Sequence, residues 1–419
     1  MHGKEPAAPW MTTGGSDATG APDSSIGPVT KSAATDAGFL ARDAVDSLPV
    51  GALERKLASG RPLRVKLGLD PTAPDVHLGH TVVLRKLREF QDRGHVVVLI
   101  IGDYTARVGD PSGRSSTRPV LSGEQIDANA RTYVQQAAKV LDRDRIELRH
   151  NSEWLDMRME QLFALTRTTT VAQLLERDDF AKRYAAGEPI SVLELLYPLM
   201  QAYDSVAVRA DVELGGTDQK FNLLLGRDVQ RAYGVDEQVV LTMPILAGLD
   251  GERKMSKSLG NQIGVSEPPD ELYGKTLSLP DAAMGGWYSL LLGEATPEDL
   301  SARDAKHALA RRLVERFHSP RAADAAAAHF DRVFVQRELP EEIEEARFEA
   351  TNGTVHIPAL VAEIVGGSRS DARRMLAQGA VKLDGEVLGE DDLELAPERL
   401  DGAVLQVGKR RTRRLRAAG

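Results

Sequence analysis

Apolar positions along the chain change period from segment to segment, and each change marks an element. Residues 64–69, Arg64-Val65-Lys66-Leu67-Gly68-Leu69, read as a strand. A proline-rich loop follows, Asp70-Pro71-Thr72-Ala73-Pro74-Asp75. Val83, Leu84, Leu87 and Phe90 then recur at helical spacing up to a stop at Gly94. Val96 to Ile101 is apolar at every position, the pattern of a strand buried on both faces. Strand, helix and strand in this order predict a parallel βαβ unit and an α/β fold. Ala210 to Leu214 predicts another strand, ending in the turn Gly215-Gly216-Thr217-Asp218-Gln219, and Val239 to Ile245 a further one.

The flanks differ from this α/β block. Residues 1–36 are rich in Ala, Gly, Ser, Thr, Pro and Asp, and predict a disordered tail with too little apolar surface to offset ordering entropy. A helix-like stretch starts at about Ala37, and the α/β pattern runs to about Gly264. Residues 265–352 are Ala- and Glu-rich with helical periodicity and predict a separate helical domain, closed by a break at Thr351-Asn352-Gly353. The remainder, 353–419, predicts a small α+β domain. Within it Ser368 is an N-cap for a helix with Arg369, Arg373 and Arg374 on a basic face, stopped at Gly379. Val381 to Val387 predicts a hairpin turning at Asp384-Gly385.

Composition narrows the classes. With 42% hydrophobic and 27% charged residues over 419 positions, the chain is an ordinary globular protein of two or three domains. There is no cysteine, which excludes disulfides, thiol catalysis and cysteine-ligated zinc. The N-terminus lacks the apolar core of a signal peptide, and no apolar run approaches the roughly 18 residues of a membrane span. A reducing cytoplasm is the expected location. The net charge of −9 argues against general coating of nucleic acid. Against that background Lys409, Arg410, Arg411, Arg413, Arg414 and Arg416 form a basic terminus suited to a phosphate backbone, with a solvated tail as the alternative.

Two short motifs carry chemistry. His77-Leu78-Gly79-His80 stands at the start of a predicted helix, where free N–H groups and the helix dipole suit phosphate. Gly79 lets a nucleotide approach the backbone, and two imidazoles offer hydrogen bonds as charge develops. Lys254-Met255-Ser256-Lys257-Ser258 follows about 175 residues later, bracketed by Gly251 and Gly260. Its two ammonium groups make a clamp for leaving pyrophosphate. A third segment, Tyr197 to Asp204, sits in a helix opened by a candidate capping box of Ser191 and Glu194. Tyr197, Gln201 and Asp204 fall on one face of it, and Pro198 lies inside. Read alone, that face is an ordinary amphipathic one.

Together these motifs resemble the class I aminoacyl-tRNA synthetases, and among them the bacterial tyrosyl enzymes. Gly68-Leu69-Asp70-Pro71-Thr72, Gly109-Asp110-Pro111-Ser112-Gly113, the Tyr197–Asp204 run and Gly216-Thr217-Asp218-Gln219 carry the narrower likeness. The resemblance spans about residue 40 to the end. It implies a Rossmann-like parallel-sheet catalytic domain, a helical anticodon-binding domain and an S4-like RNA-binding domain. It implies tyrosine activation by ATP with Mg2+, transfer to tRNA, and a homodimer. Tyr197, Gln201, Asp204, Asp110, Asp70 and Gln219 match tyrosine-binding positions. Gly68, Asp70, His77, Gly79, His80, Asp218 and Lys257 match ATP-binding ones. His77, His80, Lys254, Lys257, Thr72, Arg114 and Arg118 match groups that stabilise the departing pyrophosphate. Arg369, Arg373, Arg374, Lys409, Arg410 and Arg411 would contact tRNA. One position departs from the common pattern. Lys66 stands where many members place a tyrosine against the substrate phenol, which puts the phenol contacts in question. Rival readings are a tryptophanyl enzyme, an RNA-binding factor with a vestigial catalytic domain, and an adenylate-forming enzyme for a free acid.

Overall fold

The computed structural model describes residues 31–71, 75–110, 122–335, 343–351, 353–408 and 411–418. The chain forms two compact units, 1–323 and 324–419.

The first unit is built on a six-stranded sheet. Its strands are β1 (Asp46–Leu48), β2 (Arg64–Leu69), β3 (Val96–Ile101), β4 (Ile146–His150), β5 (Val212–Gly216) and β6 (Val239–Met243). They lie in the order β1-β6-β5-β2-β3-β4, all parallel except β1. The predicted βαβ unit is present as β2, the helix Leu78–Asp92 and β3, with Val97 to Ile101 fully buried. From β2 the sheet grows outward through β3 and β4, then returns to β5 and β6 on the other side. This reversal leaves a crevice at the carboxyl ends of β2 and β5, where open α/β sheets bind ligands.

Several boundaries differ from expectation. The tail predicted to reach residue 36 ends earlier, because a helix runs from Lys31 to Ala41. It buries Ala33, Ala37 and Leu40, an apolar stripe within a segment that composition alone reads as unfolded. Residues 1–30 lie outside the described residues. Strand β6 stops at Met243 rather than Ile245, since Pro244 has no N–H for the ladder.

The helices after residue 264 are not a separate unit, contrary to expectation. Pro269–Leu277, Asp281–Trp287 and Ala302–Phe317 all belong to the first unit. Side-chain hydrogen bonds tie them to it, from the buried Trp287 and Arg85 and the exposed Lys139. Trp287 Nε1 donates to the Ala247 carbonyl at 3.0 Å, Arg85 Nε to Leu290 at 3.1 Å, and Lys139 Nζ to Val265 at 2.9 Å and Phe317 at 3.3 Å.

The second unit is a small α+β fold that starts before residue 353. Strand β7 (Glu345–Phe348) is already part of its sheet, pairing in parallel with β13 (Arg411–Ala417). Between them in sequence lie β8 (Val355–His356), β9 (Val381–Leu383), β10 (Glu386–Leu388), β11 (Glu394–Leu395) and β12 (Val404–Val407). The order is β10-β9-β12-β13-β7, with β8 and β11 forming a separate ribbon. Asp384 and Gly385 have φ of 47° and 88°, the two positive values of a two-residue hairpin turn. Ser368 Oγ accepts from the Asp371 amide at 3.1 Å and caps the helix Arg369–Ala377. Gly379 follows at φ 66°. The arginines of the C-terminus are not a tail. Residues 411–417 form an inner strand, with Leu415 buried and Arg413 and Arg416 paired to Glu344 and Glu345 at 2.7 and 3.2 Å.

Candidate active site

The crevice at the strand ends opens into a cavity of about 630 Å3. Asp70 leaves β2 at its carboxyl end and reaches under the cavity. Its Oδ1 accepts from Thr105 Oγ1 at 2.7 Å and its Oδ2 from the Tyr197 hydroxyl at 2.9 Å. This approach needs a glycine at the end of β3. A Cβ on Gly102 would stand 1.9 Å from Asp70 Oδ1.

The helix Val192–Ala207 supplies the opposite wall. Ser191 and Glu194 form the expected capping box, with the Ser191 amide on Glu194 Oε2 at 2.9 Å and the Leu193 amide on Ser191 Oγ at 3.2 Å. Arg183 pairs with Glu194 at 3.1 Å and fixes the helix start. The helix runs through Pro198, and Tyr197, Gln201 and Asp204 all line the cavity. Asp204 is 3% exposed and is held by two neutral donors, Trp154 Nε1 at 2.8 Å and Asn151 Nδ2 at 3.5 Å. Burial pushes both Asp70 and Asp204 up to about 7, against the hydrogen bonds that favour their charged forms.

A polar chain closes the floor. Gln219 Nε2 donates to Asp110 Oδ2 at 2.8 Å, and Arg177 lies 3.4 Å from Asp110 Oδ1. Asn222 Nδ2 donates to Gln201 Oε1 at 2.7 Å and to Gln219 Oε1 at 3.2 Å. Arg177 also donates to Asn222 Oδ1 at 3.2 Å. The floor is thus acidic but braced, a setting for an ammonium and a hydroxyl.

The mouth carries the basic side chains. His77 caps the helix Leu78–Asp92, and its amide donates to His80 Nδ1 at 3.2 Å. That contact places the His80 ring proton on Nε2. The two rings lie 3.9 Å apart between centroids. Burial lowers His77 to about 2 and His80 to about 4, so both imidazoles are neutral at pH 7. His77 Nδ1 is buried with no hydrogen-bond partner among the described residues. Gly79 leaves room beside these rings, since a Cβ there would meet the His77 ring at 3.0 Å.

Across the mouth, Lys254 Nζ stands 3.3 Å from Asp218 Oδ2, and Lys257 Nζ 3.6 Å from Asp75 Oδ2. Both lysines are about half exposed. Met255 between them is buried, and its amide donates to the Leu246 carbonyl at 2.9 Å. Asn261 Oδ1 accepts from the Ser256 amide at 2.8 Å, and Gly251 and Gly260 take φ of 78° and 64°. The segment beyond is strapped to the histidine motif. Leu78 N donates to Ile263 O, and Val265 N to Val76 O, each at 2.9 Å.

Twelve of the residues expected from sequence, Gly68 among them, therefore meet at one cavity, from Asp204 below to Lys254 above, while Lys257 is not part of its lining. Thr72, Arg114, Arg118, Lys409 and Arg410 lie outside the described residues. Arg369, Arg373, Arg374 and Arg411 are exposed on the second unit. Lys66, the departing position, does not line the cavity; its ammonium is fully buried behind Asp204. Sequence reasoning missed Thr105, Asn151, Trp154, Arg177 and Asn222. The first two had a signal, as each follows the carboxyl end of a strand.

Comparison with known proteins shows the family. The model of the family described as tRNA synthetases class I (W and Y) matches residues 58–335. The tyrosine–tRNA ligase of Moorella thermoacetica is 52% identical over 376 residues, covering 87% of this chain and 90% of that one. Tyrosine–tRNA ligase 2 of Vibrio vulnificus is 49% identical over 390 residues, covering 90% and 98%. Among solved structures, a C-terminally truncated mitochondrial tyrosyl-tRNA synthetase of Aspergillus nidulans superposes with a TM-score of 0.60 at 25% identity, over 73% of this chain and 95% of that one. The tyrosyl-tRNA synthetase of Archaeoglobus fulgidus complexed with L-tyrosine shares the fold, with a TM-score of 0.58 at 24% identity, covering 70% and 99%. The family model admits both tryptophan and tyrosine enzymes and the close relatives are tyrosine enzymes, so the chain belongs to the class I tRNA synthetases, in their tyrosine–tRNA ligase branch.

Proposed function

We propose that tyrosine binds with its phenolic hydroxyl donating to Asp204 and its ammonium among Tyr197, Gln201, Asp110 and Asp70. The observation that carries this reading is Asp204 itself. It is a buried carboxylate at the base of the cavity, held by the neutral donors Trp154 and Asn151, with lone pairs left to accept from a ligand hydroxyl. Discrimination against phenylalanine, for which this enzyme family is itself the standard illustration, follows from that acceptor. Without the hydroxyl, a buried acceptor stays unpaired. Gln219 and Asp218 border the carboxylate and the ribose.

Family membership gives the reaction. The chain activates tyrosine with ATP to tyrosyl-adenylate and pyrophosphate, then transfers the tyrosyl group to tRNA. In our reading ATP enters as its magnesium complex, with the nucleotide along Gly68, Asp70 and Gly79. The tyrosine carboxylate attacks the α-phosphorus in line, and the bond to pyrophosphate breaks. No protein nucleophile takes part, so catalysis is positioning and charge stabilisation. Neutral His77 and His80 donate ring N–H hydrogen bonds to the phosphate oxygens, and the Nδ1 of His77, without a partner among the described residues, suits that role. Lys254 and Lys257 neutralise the leaving pyrophosphate, with Thr72, Arg114 and Arg118 assisting. The terminal adenosine hydroxyl of the tRNA then attacks the adenylate carbonyl, releasing AMP.

The helices of 265–335 and the S4-like second unit are the proposed tRNA-binding parts. Arg369, Arg373 and Arg374 are exposed together on one helix, and Arg411 on β13, with Lys409 and Arg410 preceding it. We further propose a cytoplasmic homodimer; no described helix is long and apolar enough to cross a membrane. ATP–pyrophosphate exchange measured with each of the twenty amino acids tests the site. Exchange with tyrosine alone is expected, and exchange with tryptophan or phenylalanine at comparable efficiency would overturn it.

A further inference from the structure

A fully buried lysine behind the cavity takes no part in the chemistry above. Lys66 on β2 and Glu213 on β5 are register partners on adjacent parallel strands, and their side chains are 0% and 1% exposed. All three ammonium protons are placed. They reach Glu213 Oε1 at 2.9 Å, Ser205 Oγ at 2.8 Å and the Gln201 carbonyl at 3.0 Å. Ser205 Oγ passes its own proton to Glu213 Oε2 at 3.0 Å, and Gln238 Nε2 donates to that same oxygen. A glycine is required beside this cluster, because a Cβ on Gly226 would stand 2.6 Å from Gln238 Nε2.

The two helix acceptors locate the purpose. Gln201 and Ser205 bracket Asp204 within one turn. The cavity meets this turn through the side chains of Gln201 and Asp204, and the ammonium grips it from behind. Well-packed apolar residues can fill such a volume without the desolvation penalty of two buried charges. An ion pair kept here therefore calls for a reason beyond packing, and Asp204 provides one. The charged and titratable groups facing Asp204 are Lys66 from β2, Glu213 from β5, Asp70 from the end of β2 and Tyr197 from its own helix. Arg149 of β4 reaches it only through Trp154, over whose ring it lies at 5.3 Å. Lys66 is the cation set directly against that turn.

We propose that Lys66, braced by Glu213, is a positioning residue for amino-acid selection. It fixes the Gln201–Ser205 turn and supplies the positive charge that keeps Asp204 an acceptor for the phenolic hydroxyl. This rests on Asp204 receiving that hydroxyl, so the test must separate the two ideas.

The experiment is ATP–pyrophosphate exchange with tyrosine and with phenylalanine, across neutral pH, on the full chain and its variants. Lys66→Met is expected to raise KM for tyrosine and narrow the tyrosine-to-phenylalanine preference by about tenfold or more, with KM for ATP unchanged. The acid limb of kcat/KM for tyrosine should move to higher pH, because losing a nearby positive charge makes Asp204 hold its proton longer. Lys66→Met leaves Glu213 without its cation. If that variant fails to fold, the double variant Lys66→Met with Glu213→Gln carries the test, with the same loss of preference expected. A folded variant with the native preference and an unmoved acid limb would overturn the proposal. Asp204→Asn tells the two failures apart. If it keeps the preference, the phenol contact itself is wrong. If it abolishes the preference while the Lys66 variants keep it, only the role of Lys66 is wrong.

Discussion

Single residues set the chemistry at the cavity mouth. Lys254 and Lys257 each rest on a carboxylate, Asp218 and Asp75, yet both lysines are 45% or more exposed. Exposed pairs of this kind contribute little, so a triphosphate with several negative charges displaces them readily. Replacing Lys257 by Ala should slow single-turnover adenylate formation about 10²–10³-fold, the usual effect of losing one group that meets developing charge. Tyrosine affinity should stay as it was, because Lys257 stands outside the amino-acid end of the cavity. An unchanged single-turnover rate would contradict the assignment. Residues of this sort were legible in the sequence, since ammonium and imidazole groups in short fixed motifs declare their chemistry. The roles of Thr105, Asn151, Arg177 and Asn222 were not, although the first two stand at strand ends where a site residue is expected. All four act by holding Asp70, Asp204, Asp110 and Gln201, and those partnerships exist only once distant segments meet.

At the scale of elements, the site depends on strands ending where side chains can converge. Strand β3 must stop in a residue without a side chain, because Asp70 crosses over Gly102 to reach Thr105. Gly102→Ala should lower stability by about 1–3 kcal/mol through this clash and raise KM for tyrosine, as Asp70 is pushed from Tyr197. Thermal unfolding and exchange kinetics on the purified variant would show both effects, and a native Tm with native KM would refute the account. The long apolar run of β3 and the capped helix of Tyr197 were visible from pattern alone. Strands β1 and β4 were not. One has three residues, and the other, Ile-Glu-Leu-Arg-His, is only half buried along its length. Strand β13 was hidden for a different reason. Its one buried apolar residue, Leu415, is surrounded by arginines whose partners Glu344 and Glu345 lie about seventy positions earlier.

Over the whole molecule, activation and RNA recognition fall on different stretches of chain. Every described residue assigned here to tyrosine or ATP lies before 260, and the exposed arginines assigned to tRNA lie after 368. A chain cut after residue 335 should keep ATP–pyrophosphate exchange and lose most tRNA charging. Cutting after 352 instead would strand β7 without β13 and expose Phe348, so the earlier cut is the cleaner one. Charging that survives the earlier cut would remove the second unit from tRNA recognition. The strap of Val76–Leu78 against Ile263–Val265 bears on how such a chain comes into being. It closes a ring of nearly two hundred residues, and contacts so far apart in sequence form late. The groups around Asp204 are all synthesised by residue 238, whereas His77 gains its neighbour Gly264 only when that residue has emerged. A growing chain thus completes its amino-acid pocket first and its triphosphate grip only once residue 265 has emerged, so a copy that stops short of that point has no means to consume ATP.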